Sequence, residues 1–551
     1  MASYRTVNEA VVMYHLLLGS VTGALLAAPY PAVGAEPTRP ARPGPPSVPA
    51  LATKIDRALE SAWAKNNITP AAPASDTEFL RRVYLDLAGR VPSVAEARAF
   101  LEGARADKRR ALVAELLARP AYARHFAAVW RHLLLPEADT NFQVHFLAPG
   151  FEQWLRREFE RNVPFDRMVR DVLTTPVDRD TTQQALRGDS VTSPVAFYLA
   201  KEAKPENLAA ASARVFLGIR LECAQCHDHP FATWTRDQFW GLAAFFSGIR
   251  SQERGVGFAV PDKEILDRRE LIVPGSERVV QAMFPDGTEP RWRFKVGARQ
   301  TLAEWVTGGE NPYFARAAVN RVWAHLFGVG LVEPVDELTG SPDAVAHHPE
   351  LLDELAKAFV ESGYDLKGLI EAITGSRAYQ LTSRGRAAAA PLFSRQQLRG
   401  LTAEQLFDSL AVATGQPDDL RDDPRFGARN TPRTEFVMKF GQQSGRPVDH
   451  EMTIIQALTL MNGPFVTGAT SPERSELLSA VLTAPFLTER GRIETVYLAA
   501  LARTPTAHEM EKAMALVAKA AAGGGQKARR DEAVADIFWA LLNSAEFLFN
   551  H

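Results

Sequence analysis

From Leu51 to Gly248 apolar residues recur at three- and four-residue spacing, a period that admits helices and little else. The stripe runs through Ile55, Leu59, Ala62 and Trp63, then Phe79, Leu80, Val83, Tyr84 and Leu87, then Leu112, Leu116 and Leu117. Its punctuation is that of helix ends. Ser75-Asp76 ahead of Glu78 reads as a start, Gly89 as a stop, and Pro92-Ser93 followed by Glu96 as the next start. Pro120, Pro149-Gly150, Pro164 and Pro205 mark further boundaries.

Between Gly248 and Gly297 the pattern changes to short β-branched and aromatic runs: Gly255 to Val260, Glu270 to Val273, Arg278 to Phe284 and Arg291 to Val296. Pro-Gly and Pro-Asp-Gly turns separate them. The helical period returns at Leu302 and lasts to Phe549, apart from an irregular polar stretch from Gln416 to Arg446. The expected fold is therefore mostly α, with two α-helical domains at 51–248 and 299–551 and a small β-rich insert at 249–298. No internal repeat of solenoid length occurs. Neither does a G-x-G-x-x-G, Walker A, G-x-S-x-G, H-E-x-x-H or EF-hand sequence.

Ahead of the first helix, residues 11–28 are apolar and uncharged, follow Arg5, and lead to the small-residue run Ala32-Val33-Gly34-Ala35. Residues 1–35 thus read as a secretory signal cut after Ala35, or as an N-terminal anchor that would hold the chain to a membrane if left uncut. A Pro-rich linker at 36–50 follows, whose prolines favour an extended spacer over a helix. The expected location is outside the cytoplasm, in the periplasm or cell envelope. With 63 Lys plus Arg against 65 Asp plus Glu, the formal charge is -2, so no global basic field marks a nucleic-acid partner.

All the cysteine chemistry of the chain sits in one pentapeptide, Cys223-Ala224-Gln225-Cys226-His227, which has the C-x-x-C-H pattern of c-type haem attachment. Two thiols two residues apart can each form a thioether to the porphyrin, and the next imidazole then faces the iron. Such attachment is made outside the cytoplasm, in keeping with the N-terminal segment. Three other readings of the same residues stand beside this one: a disulfide, a thioredoxin-like pair, and a zinc clip built from Cys223, Cys226, His227 and His229. The thioredoxin-like pair fits least, because Asn207 to Leu221 and Thr235 to Phe246 read as helices and no βαβ pattern surrounds the motif.

A distal iron ligand is not marked by spacing; Met283, His347, His348 and His145 are candidates. The aromatics Phe231, Trp234, Phe239, Trp240, Phe245 and Phe246 could wall a macrocycle or simply form a core. Asn320 with His325, in a stretch that also holds Arg321 and Trp323, is a polar pair in an apolar helix, better read as an interhelical bond than as a site. His347, His348 and Glu350 after Asp343 read as a helix start, and Asp449, His450 and Glu451 as a second polar cluster.

Two long stretches carry a resemblance. The segments from Phe79 to Leu101 and from Phe216 to Phe246 resemble the uncharacterised cytochrome-associated domain of planctomycete exported proteins. Those from Asn311 to Leu338, His347 to Ile370, Gln456 to Val466 and Leu541 to His551 are similar to its usual C-terminal companion domain. Neither family has an established activity. The resemblance implies Cys223, Cys226 and His227 as attachment residues of a c-type haem (heme c), with Asp228 and His229 as associated motif residues. Many relatives carry a cysteine near Arg446 to Met452, where this chain has none.

The expected function is that of an exported protein with one covalent haem, acting with a redox partner protein in envelope electron transfer or in a haem-dependent oxidation. The alternative is a non-enzymatic envelope binding or scaffold protein whose Cys/His cluster is a zinc or disulfide clip.

Overall fold

The computed structural model describes residues 47–187, 193–254, 258–338, 344–385, 392–416, 432–440, 460–522 and 526–551. The N-terminal apolar segment, the linker up to residue 46 and the Asp449-His450-Glu451 cluster lie outside them. The described chain is mostly α-helical, with only two-stranded antiparallel sheets.

Helix Val48–Lys65 carries a proline in its first turn, where the missing N–H has no intrahelical partner to lose, and buries Leu51, Ile55, Leu59 and Trp63 as one stripe. Helix Asp76–Ala88 begins where Ser75 accepts the Glu78 N–H, and stops at Gly89. Gly89 has φ +68, and a Cβ there would sit 2.5 Å from His125 Nδ1, so both the turn and the close approach require glycine. Ser93 and Glu96 form a reciprocal capping box on helix Val94–Leu101.

Two apolar cores result. The first gathers side chains from Leu51 to Phe393, with Leu498 and Ala502, and runs unbroken across residue 298. Helix Ala298–Val306 packs on helix Phe165–Thr174, and helix Leu366–Gly375 packs on helix Val48–Lys65. The second core gathers residues from Leu401 to Phe547, together with Leu85 and Val91. Helix Asp76–Ala88 serves both, giving Phe79, Leu80, Val83, Tyr84 and Leu87 to the first and Leu85 to the second. Every residue from Glu78 to Ala88 is consequently buried, the polar ones included.

In the insert, strand Ile249–Arg254 pairs with Phe258–Glu264, and Glu270–Ile272 pairs with Val279–Gln281. Arg291 to Val296, expected as a strand, is a turn-containing loop. Among the described residues no strand pairs with this alternation of aromatic and basic residues. Instead the Trp292 ring lies 4.3 Å beneath the Arg269 guanidinium, while Phe294 is 89% exposed. Within the stretch expected to be irregular, residues Pro432–Phe440 form a helix that brings Phe436 and Phe440 into a stack 4.2 Å apart in the second core. Among the described residues no helix is long and apolar enough to cross a membrane.

Candidate cofactor site

The motif begins in a 3₁₀ turn, Glu222–Gln225, with Cys226 capping its end, between two helical segments. Upstream, helix Pro205–Ser212 continues through a wider turn to Leu217 and stops at left-handed Gly218; downstream lies helix Arg236–Ala244, opened by a Thr235/Gln238 capping box. Three residues per turn bring positions i and i+3 onto one face. That relation places Cys223 and Cys226 together on the exposed side, while Ala224 between them is fully buried. Both thiols are free, so the pair is not disulfide-bonded. Trp240, from the following helix, donates its indole N–H to the Gln225 carbonyl at 3.0 Å and fastens the turn to the core.

His227 is exposed, and its Nδ1 lies 2.7 Å from its neighbour's carbonyl, that of Asp228. A carbonyl only accepts, so Nδ1 carries a proton and, in the neutral ring, Nε2 keeps its lone pair. His229 has the opposite arrangement. Its Nδ1 accepts the N–H groups of Phe231 at 3.3 Å and Ala232 at 2.9 Å, so the neutral ring carries its proton on Nε2. Asp228 Oδ1 accepts the Arg236 N–H at 2.8 Å, and the His229 N–H donates to Trp234 O at 2.8 Å. The loop is thereby pinned at both ends.

These donors suit a c-type haem: two exposed thiols at the ends of one turn, and next to them an exposed imidazole whose ring is held through Nδ1. The zinc clip is less well served, because His229 has no free lone pair. Among the described residues no three His, Cys, Asp or Glu side chains converge as metal ligands do.

The aromatics beyond the motif are core. Phe239, Trp240, Phe245 and Phe246 are all buried, as is Trp234, which meets Tyr313 edge-on at 6.3 Å; only Phe231, 69% exposed, stands on the surface near the thiols. Of the four distal-ligand candidates, Met283 is tied to helix Arg236–Ala244, the helix that follows the motif. Its N–H donates to Gly241 O at 3.1 Å. His145 Nδ1 donates to Ala138 O, and His348 packs against Phe393. His348 occupies the N-cap position of helix Pro349–Glu361, the helix start expected there, without a side-chain capping bond. The buried Asn320 amide grips both backbone groups of Val332, in a strand and not a helix, whereas the interhelical bond is made by His325, whose Nε2 lies 2.9 Å from the Asp86 carbonyl.

Two charged clusters escaped sequence reading. In the first, Asp86 is buried and accepts from Tyr379 OH at 2.7 Å, from Arg399 at 2.8 and 3.0 Å, and from Asn550 Nδ2 at 2.7 Å. One and two turns back, Arg82 bonds Glu78, Tyr379 O and His551 O, while Glu78 also accepts from Thr382 and Ser383. Burial pushes the Glu78 carboxyl up, but the Ser383 N–H and the Arg82 charge outweigh it and hold it below its usual value. Nearby, burial brings Arg81 down to about 10 against the opposing pull of the Glu546 charge.

In the second cluster, His132 lies between Glu404 at 2.6 Å and Asp139 at 3.1 Å, with Arg131 bridging the same two carboxylates. Burial opposes the charged ring, yet the Glu404 charge and the Asp139 bond raise His132 to about 9. This cluster fastens helix Pro120–Leu134 of the first core to helix Ala403–Thr414 of the second. Its sequence signal, adjacent Arg131-His132 in a helix that also carries Arg124-His125, was visible, but Glu404, the carboxylate that joins it to the second core, is 272 positions away from His132.

Residues 54–251 match PSCyt2, described as a protein of unknown function (DUF1549), and residues 298–447 match PSD1, described as a protein of unknown function (DUF1553). The chain is thus similar over two stretches to two uncharacterised families, and the whole Cys223–His229 segment falls within the first. No curated protein and no solved structure matches.

Proposed function

We propose that this chain is an exported redox protein that holds one c-type haem through thioethers from Cys223 and Cys226, with His227 as proximal ligand. The carrying observation is the His227 ring. Its Nδ1–H is spent on the Asp228 carbonyl, which leaves Nε2 free beside two exposed, unpaired thiols on the same turn. When bound, the haem supplies a one-electron couple, and the chain's own contribution is to orient the imidazole and bury one side of the turn. Fixing the ring through Nδ1 raises the basicity of Nε2 toward iron. The motif sits on the surface, which favours electron exchange with a partner protein in the cell envelope over chemistry in an enclosed cavity. The apolar N-terminal segment and the extracytoplasmic chemistry of thioether formation both support export.

The test is a pyridine haemochrome spectrum of the full chain produced with c-type maturation machinery, beside a Cys223→Ala/Cys226→Ala variant. A c-type band in the parent that is lost in the variant supports the reading. Folded parent protein without a band defeats it and leaves an envelope binding or scaffold protein.

A further inference from the structure

His229 lies two residues after His227 and is the second nitrogen donor that the zinc reading of the motif would recruit. The structure assigns it a different part: His229 is a positioning residue, its Nδ1 acting as a backbone acceptor that closes the 229–234 loop and holds His227 facing outward. This deepens the proposed function and rests on that reading for its haem readout alone.

The assignment follows from the proton inventory. Pro230 has no N–H, so the first amides beyond His229 are those of Phe231 and Ala232, and both point at His229 Nδ1, at 3.3 and 2.9 Å. This is the bonding that an asparagine or aspartate side-chain oxygen makes at the start of a turn, done here by an imidazole. With Nδ1 accepting, the neutral ring's one proton is on Nε2, and neither nitrogen has a lone pair left for a metal. To ligate through Nε2 the ring would have to move its proton to Nδ1, where it would face two N–H donors. His227 has the complementary state, a donor at Nδ1 and a lone pair at Nε2. Asp228, between them, is tied through its side chain to the Arg236 N–H. The two imidazoles of this short segment are therefore sorted by backbone hydrogen bonds into one ligand and one strut.

Asparagine separates the roles. Its side-chain oxygen reproduces the acceptor but cannot replace an imidazole ligand. In the full-length unmetallated chain with ¹⁵N-labelled histidine, ring nitrogen shifts should show His229 protonated at Nε2 and His227 at Nδ1; the reverse pattern for His229 overturns the assignment. In haem-loaded protein, His229→Asn should keep the parent's haem content and low-energy absorption bands. His229→Ala should lower haem content several-fold and alter the spin-state bands, and His227→Ala should abolish the parent spectrum. Loss of haem in His229→Asn to the level of His227→Ala, or a His229→Ala protein identical to the parent, overturns it. Should the parent take up no haem, the function reading fails separately. The ring-nitrogen shifts and a zinc titration of parent against His229→Asn then decide, equal affinity supporting the strut and a tenfold or greater loss overturning it.

Discussion

The buried carboxylate of Asp86 accepts a hydrogen bond from the side-chain amide of Asn550 at 2.7 Å, across 464 positions of chain. The same carboxylate holds Tyr379 and Arg399, so one acidic group in helix Asp76–Ala88 ties together the segment after helix Leu366–Gly375, the strand Arg399–Gly400 and the strand Phe549–Asn550 paired with it. Helices that share a core by apolar contact alone could slide. A satisfied buried charge fixes their register.

Replacing Asp86 by alanine leaves the Arg399 guanidinium buried without its carboxylate, and the expected loss is ~3–5 kcal/mol. Tyr379→Phe, which removes one neutral donor, should cost only ~1–2 kcal/mol. Chemical denaturation of the two variants beside the parent measures the ratio, and equal losses would contradict a charge-centred network.

Alkaline pH should loosen the joint between the two cores. The folded His132 ring keeps its proton up to about 9, against 6.5 for the free group, because Glu404 and Asp139 hold it. Its contribution is therefore complete below pH 6.5 and is lost as pH rises through 9. The ring is about a third exposed, so solvent screening reduces the energy below what the shift alone implies. Denaturation midpoints between pH 6 and pH 10 should fall more steeply for the parent than for His132→Gln.

Acid acts on a different pair. His125 and His325 are half-buried with ring centres 5.4 Å apart. Burial, reinforced by its neighbouring imidazole, takes His125 down to about 3, and burial lowers His325 as well. Both rings are neutral in the fold, whereas an unfolded histidine takes up its proton near 6.5. Stability present above that value should thus fall by about 1.4 kcal/mol per pH unit for His125 as pH drops toward 3. A His125→Asn variant, less stable at pH 7, should show a shallower acid slope over that range in the same unfolding measurement.

Gly89→Ala should be among the most damaging conservative changes in the first core. It imposes a left-handed backbone on alanine, ~1–2 kcal/mol, and drives a methyl to within 2.5 Å of His125 Nδ1. With overpacking included, the expected loss is about 2–5 kcal/mol, read as a fall in the thermal midpoint. A loss under 1 kcal/mol would mean that helix Pro120–Leu134 can yield at His125.

Local signals in the chain were legible because their partners are local. Ser75 with Glu78, Ser93 with Glu96 and Gly89 mark helix ends by bonds made within a few residues. The spacing of Cys223 and Cys226 is likewise a property of one turn. Where the function of a residue depends on distant partners, the pattern misleads or is silent. Trp292, Phe294 and Val296 alternate as a strand would, but a strand needs a neighbour. The polar stretch around Phe436 and Phe440 conceals a helix because only two aromatics in it face a core. Arg81, Arg82 and Asp86 look like the solvent side of an amphipathic helix; they are buried because a second core covers that side, something no helical period expresses. The difference between His227 and His229 lies in which backbone groups each ring meets, and those are fixed only when Pro230 turns the loop.

The pairing of Asp86 with Asn550 also sets an order of events during synthesis. Helix Asp76–Ala88 leaves the ribosome early with four charges, Glu78, Arg81, Arg82 and Asp86, that must eventually be sealed from water, yet Ser383, Arg399, Asn550 and the backbone carbonyls of Phe547 and His551 that satisfy them are made hundreds of residues later. Until those last residues emerge, closing either core around the helix would strand ionised groups. The nascent chain has reason to stay open and solvated, and its consolidation, with contacts of very long sequence separation, waits until strand Phe549–Asn550 has been made.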